Sequence, residues 1–280
     1  MPSPTPADLL ALSTTDVRTP IPRSQLIPAL AAPPFLYIDG TFNTRDLGGL
    51  PGSALRRGLA FRSGSLTGLT PDGAAALGAL GVRRVFDLRS RAERAASGPD
   101  PAVPGAAAVW TSTAEADARV AAADFVAAEP AYAAMYIEVL RRYGGAVAAV
   151  LEQVRDRPGE AFLLHCTAGR DRTGVVAGLL LALAGEAADR VALDYMLSRV
   201  GTEPARERLI AFARREAGVE DEEAPGFYNL ISLRLSCWEA FLEAVRVEYG
   251  GFDRYVVDTL GFSEEDLETI RRNLRAPVSS

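Results

Sequence analysis

The chain has 280 residues, 48% of them hydrophobic and 24% charged, enough for one substantial core and borderline for two domains. Its formal net charge of −6 excludes the broad basic footprint of a nucleic-acid binder, although a few arginines and backbone amides can still hold an anion locally. Two cysteines, Cys166 and Cys237, exclude a disulfide framework and a structural zinc site.

MPSPTPADLL lacks a basic stretch followed by an apolar run, so no secretory signal is expected at the start. Residues 1–34 are rich in Pro, Ser and Thr and are expected as a mobile tail or an arm lying on the domain. FLYIDG (35–40) reads as a short strand with a turn, and GLAFRSG (58–64) as another. In LTPDGAAALGALG (69–81), Thr70 caps a helix that has Pro71 in its first turn. VRRVFDLRS (82–90) reads as a core strand, whereas 91–113 show no firm period. From 114 to 157 the pattern is helical, stopped by Pro158 and Gly159. AFLLH (161–165) is a short apolar strand of the buried parallel kind. VVAGLLLALAG, within the next helix, is only 11 residues long and too short to span a bilayer. Residues 187–217 read as helical, 219–226 as an acidic loop, and 236–250 and 263–275 as closing helices. Strands alternating with helices predict an α/β fold with a mostly parallel central sheet. A single domain over 35–280 is expected, with helical lid segments near 115–145 and 200–235.

HCTAGRDRTG, at the strand–helix junction, carries the chemistry. Cys166 ends a strand, Arg172 follows six residues later, and Gly169 and Gly174 let the backbone curl. A turn of this kind, Thr167-Ala168-Gly169-Arg170-Asp171-Arg172, points N–H groups at one spot where the helix dipole is also positive, which makes an anion cradle. A thiolate at its mouth can attack the phosphorus of a phosphate monoester while Arg172 chelates two oxygens. An inert core thiol would leave Arg172, Gly169 and the helix start unexplained.

HCTAGRDRTG resembles the Cys-x5-Arg-Thr signature of the protein tyrosine phosphatase superfamily. With Asp171 beside Arg172 it looks most like the bacterial tyrosine/serine phosphatases that also act on phosphoinositides. FNTRDLGGL, VFDLRSRAE and YGGFDRYVVDTLGFSEEDLETIR resemble the same family, in order, over most of residues 37–275. Relatives often carry lysine where this chain has Arg170. The resemblance implies a protein-tyrosine-phosphatase-like fold and cytoplasmic bacterial origin, with a non-classical secretion route left open. It implies hydrolysis through a phosphocysteine without metal or cofactor, acting on a phosphorylated protein or a small phosphate monoester. Phosphotyrosine is the first substrate expected. The alternative is a phosphoinositide or small metabolite, with Arg170 holding a second phosphate. Cys166 is then the nucleophile and Arg172 the phosphate ligand, while Thr173 eases breakdown of the intermediate and is placed to hydrogen-bond the thiolate.

Three carboxyls compete as general acid: Asp171 first, then Asp87, then Asp124. Asp87 has a structural alternative, pairing with a loop arginine such as Arg89. His165 is expected to support the cysteine loop and Asp46 to fix a turn. Arg45 is expected to orient Asp46 or touch substrate, and Arg62 to support the site from a strand end.

Overall fold

The computed structural model describes residues 4–111 and 120–275. Five strands, β1 (Arg45–Asp46), β2 (Ala60–Ser63), β3 (Val82–Asp87), β4 (Ala107–Trp110) and β5 (Ala161–His165), form one sheet in the order β1-β2-β5-β3-β4. Only β1 is antiparallel to its neighbour; the other pairings are parallel. β5 is central, with Phe162, Leu163 and Leu164 fully buried, each side chain worth about 1.5–3 kcal/mol of burial. Its side chains alternate between two cores, since Phe162 and Leu164 join one apolar cluster and Ala161 and Leu163 the other. A sheet covered on both faces needs apolar residues at both parities, which is why AFLLH shows no polar alternation.

Helices α1 (Pro6–Ser13) and α2 (Arg23–Leu30) form from the segment expected as a tail or arm. Leu9, Ile21 and Ala29 bury against Leu193, Leu197 and Val200, and Arg199 donates to the carbonyls of Thr15, Asp16 and Thr19. FLYIDG is not a strand: Phe35 makes a single bridge to Arg45, and a turn follows. α3 (Pro71–Ala79) starts on the Thr70 cap, whose hydroxyl accepts from the Gly73 amide. The described part of the stretch 91–113, residues 91–111, is more ordered than its composition suggests, holding α4 (Arg91–Ser97) as well as β4. α4 begins with a capping box, Ser90 with Glu93, which makes it regular despite having no buried residue.

α5 (Ala128–Arg142) and α6 (Gly144–Asp156) are separated at Tyr143, whose φ of −101° and ψ of 15° break the helix. Residues 115–119 lie outside the described residues, and α5 buries Tyr132, Tyr136, Ile137, Val139 and Leu140 in the main core. α7 (Asp171–Ala184) follows β5 and is almost wholly buried; its Gly178 lies so close to Trp238 that a Cβ there would be 2.4 Å from the indole. α8 (Ala188–Met196), α9 (Ser198–Gly201), α10 (Arg206–Ala217), α11 (Phe227–Ile231), α12 (Leu235–Tyr249), α13 (Phe252–Arg254) and α14 (Glu264–Arg275) complete the chain. α12 packs along α5. No helix among the described residues is long and apolar enough to cross a membrane.

Candidate active site

β5 delivers Cys166 to the C-terminal edge of the sheet, and α7 starts five residues later at Asp171. The intervening loop can turn only because Gly169 takes φ +64°; a Cβ there would meet the Ser63 carbonyl oxygen at 2.2 Å. Every carbonyl from Thr167 to Arg170 is engaged by the surrounding scaffold. The Ser65 amide donates to Thr167 at 3.1 Å, and the Asn43 amide group donates to Ala168 at 3.1 Å and to Gly169 at 2.9 Å. Arg62 Nη2 donates to Gly169 at 2.7 Å, and the Gly174 amide to Arg170 at 2.8 Å. By contrast, the backbone N–H groups of 167–172 donate to no protein acceptor among the described residues. Carbonyls held by the scaffold and amides left uncommitted are the geometry of an anion cradle.

The scaffold behind the loop is charged and buried. Arg45 and Arg62, both fully buried, share the single carboxylate of Asp194 on α8. Arg45 also bonds the Asn43 side chain and the Ser198 hydroxyl. Burial pushes the Arg45 guanidinium down to about 10, the neighbouring Arg62 adds to that, and Asp194 opposes both. The expectation that Arg45 orients Asp46 or touches substrate is therefore corrected, because its donors are spent on Asp194, Asn43 and Ser198 away from solvent. Arg62 does support the loop, directly through the Gly169 carbonyl. Asp46 fixes a turn by accepting from the amides of Gly48 and Gly58, both at 2.9 Å.

On the other side of β5 the side chains are gripped instead. Glu93, on α4, takes both terminal nitrogens of Arg172 and accepts from the Thr167 hydroxyl at 2.6 Å. Arg172 also donates to the Leu88 carbonyl at 3.0 Å and the Tyr143 hydroxyl at 3.3 Å. Its Nε–H and the second hydrogen on Nη2 stay uncommitted among the described residues, a pair on one edge of the guanidinium. Burial would raise the Glu93 carboxyl, but the Arg172 charge and hydrogen bonds prevail and hold it at about 2. Burial likewise opposes the charge of Arg172, and Glu93 outweighs it, leaving Arg172 protonated well beyond its ordinary range. Glu93 escaped sequence reading because S-x-x-E announces a helix cap, and the cap is real; the second task is visible only in three dimensions.

His165 is buried and bonds Asp100 at 2.9 Å through Nε2, consistent with support of the strand end rather than free base chemistry. Asp87 is taken by Arg89 at 2.9 and 2.8 Å, and Arg89 also reaches Asp100 at 2.9 Å. Burial alone would lift the Asp87 carboxyl, but Arg89 and His165 hold it below its ordinary value of 3.8. A donor so held is a poor acid, and the pairing with Arg89 is the structural alternative for this residue. Asp87, Asp100 and His165 lie close enough to suggest a metal cluster, yet Arg89 occupies the space between the two carboxylates. Asp124 sits exposed on a 3-10 turn, Ala122–Phe125.

Asp171 accepts from the Tyr136 hydroxyl at 2.9 Å and from Arg170 Nε at 3.0 and 3.1 Å. Arg170 also donates to the carbonyls of Ile231 at 2.9 Å and Leu230 at 3.1 Å and to the Tyr132 hydroxyl at 3.3 Å. All three of its nitrogens are thus engaged, which corrects the expectation that Arg170 stands free for a second phosphate. Thr173 is completely buried and its hydroxyl has no partner among the described residues, Cys166 included, so the expected bond to Cys166 is not formed.

The description "Tyrosine phosphatase family" belongs to the family model that matches residues 36–276. A "Putative tyrosine-protein phosphatase" of Cupriavidus necator is 31% identical over 249 residues, covering 84% of this chain and 86% of that protein. The tyrosine-protein phosphatase of Nostoc commune is 28% identical, over 76% of this chain and 73% of its own. The triple specificity protein phosphatase PtpB of Mycobacterium tuberculosis is 30% identical, over 79% and 88%.

Proposed function

We propose, from the premise that the chain belongs to the bacterial tyrosine phosphatase family and is a protein-tyrosine phosphatase, that it works through a phosphocysteine on Cys166. The observation that carries the reading is the cradle: loop carbonyls engaged by the scaffold, uncommitted amides, and a free Arg172 edge beside Cys166. The three non-bridging oxygens of the phosphoryl group take the amides and the Arg172 edge. Cys166 Sγ bonds phosphorus in line as the bond to the leaving oxygen breaks, and Asp171 gives that oxygen its proton. Water then attacks the phosphocysteine, Asp171 takes the water's proton, and phosphate leaves with the thiolate restored. The orphaned Thr173 hydroxyl is a donor in wait for the departing sulfur. No step requires a metal or cofactor.

Phosphotyrosine is the proposed substrate, since an aryl ester presents the better leaving group. A second reading, phosphoinositide or small-metabolite monoesters, loses the support of a free Arg170. The name of the mycobacterial relative, triple specificity, keeps that reading in the test. The experiment is to quench the enzyme during turnover and map acid-labile phosphate. Label on Cys166 is expected, and its absence overturns the covalent route. Comparing kcat/KM for phosphotyrosine peptides, phosphoserine peptides, inositol lipids and nucleotides ranks the substrates.

A further inference from the structure

The reading of Asp171 as proton donor, on which this inference rests, requires its carboxyl to be aimed. Asp171 opens α7 with a quarter of its side chain exposed (25%). Its two oxygens are not equivalent. Oδ1 accepts from both Tyr136 and Arg170, whereas among the described residues Oδ2 has Arg170 Nε alone, at 3.1 Å.

Tyr136 is fully buried and its hydroxyl lies 2.8 Å from that of Tyr195, also buried. Tyr195 has no other hydrogen-bond partner among the described residues, and an ionised carboxylate can only accept. The hydrogens therefore run one way, from Tyr195 to Tyr136 to Asp171 Oδ1. Ring packing fixes both hydroxyls. Tyr136 meets Tyr132 and Phe241 edge to face, each with centroids 5.4 Å apart, and Tyr195 stacks on Trp238 at 4.8 Å.

We propose that Tyr136, oriented by Tyr195, is a positioning residue that reserves Oδ1 of Asp171 and so assigns the transferable proton to Oδ2. During transfer the Oδ2–H bond breaks, the leaving oxygen takes the proton, and the electron pair of the P–O bond goes to that oxygen. Tyr136 keeps its own proton throughout. The titratable and charged groups around the carboxyl are Arg170 from the loop, Tyr132 and Tyr136 from α5, and Tyr195 from α8. Arg172, next along α7, is turned to Glu93. Burial first, with Asp171 adding to it, pushes Tyr136 well above the ordinary tyrosine range, and burial does the same to Tyr195. Both therefore stay protonated wherever the enzyme works.

The test compares Tyr136→Phe, Tyr195→Phe and Asp171→Asn on two aryl phosphates, one with a good and one with a poor leaving group. Losing a hydrogen bond to the ionised form lets the carboxyl keep its proton to higher pH. The alkaline limb of kcat should thus move up by about one pH unit in Tyr136→Phe, as expected for one bond to a charged group. Turnover of the poor leaving group should fall severalfold more than that of the good one. Tyr195→Phe should move the limb the same way by less, and it carries the test if Tyr136→Phe does not fold by circular dichroism. A limb unmoved in the folded variants, while Asp171→Asn erases it, overturns the role of Tyr136 alone. A limb that survives Asp171→Asn overturns the donor reading and this inference with it.

Discussion

The two flanks of β5 hold the same loop by different means. On the β2 side, Asn43 and Arg62 grip its backbone and Arg45 and Asp194 hold those two in place, with two buried arginines to one carboxylate. On the β3 side, Glu93 and Asp100 grip side chains, fixing Arg172, Thr167 and His165, and Arg89 is shared by two carboxylates. The surplus positive charge therefore lies behind the loop carbonyls. Beside β3 the charges balance, the carboxylates of Asp87, Asp100 and Glu93 facing Arg89, Arg172 and Arg94, the last at 3.7 Å from Asp87. One flank shapes the cradle and the other aims the groups that work in it.

Substitutions can break that division. The largest effect belongs to the group both flanks serve: Cys166→Ser should lower kcat by at least about 10³-fold while phosphate binding persists, measured by steady-state kinetics and calorimetry. Next comes Arg172→Lys, since a point charge cannot replace a fork held by Glu93 from one side and open on the other. A loss of about 10² in kcat, near 3 kcal/mol of transition-state stabilisation, is expected; a loss under fivefold would remove Arg172 from the chemistry.

Glu93 sharpens the β3 side through pH. Its folded value of about 2 lies below the unfolded 4.5, so the stability it contributes is present above pH 4.5 and lost as pH falls toward 2. That difference amounts to about 3 kcal/mol at neutral pH. Urea denaturation at pH 6 and pH 3 should show Glu93→Gln less sensitive to acid than the parent, and equal sensitivity would sink the assignment.

On the β2 side, Asn43→Gly keeps a backbone at φ +57° permissible while deleting two bonds to the loop. Vanadate affinity should weaken about tenfold, the worth of two buried hydrogen bonds. If kcat fell and vanadate affinity did not, the backbone-gripping role would fail. The smallest effect is Asp87→Asn. Bound to Arg89, it should change kcat by less than about threefold and leave the alkaline limb in place, for surface-distant structural pairs act on stability. Loss of the limb would restore Asp87 as the acid.

Local patterns were enough for the parts of the site that lie along the chain. The apolar strand AFLLH, the glycine-turned loop and the helix behind it are contiguous, so Cys166 and Arg172 were legible together. The Thr70 cap and the Ser263 start of the last helix were legible for the same reason. α4 was not, because it buries nothing and so leaves no apolar period; its capping box is the one signal it carries. The amphipathic spacing of α5 says that a face is buried, not what buries it. α12, a hundred residues on, covers that face.

What the sequence determined by itself was the loop that joins Cys166 to Arg172, the two residues proposed as nucleophile and phosphate ligand, and the alternating α/β order, because each rests on neighbours within a few residues. Only the tertiary structure decided what surrounds them. Glu93 reaches Arg172 across 79 positions, Tyr136 reaches Asp171 across 35, and Asp194 joins Arg45 across 149 and Arg62 across 132. A buried charge must find its partner wherever the fold brings one, and sequence spacing holds no record of that distance.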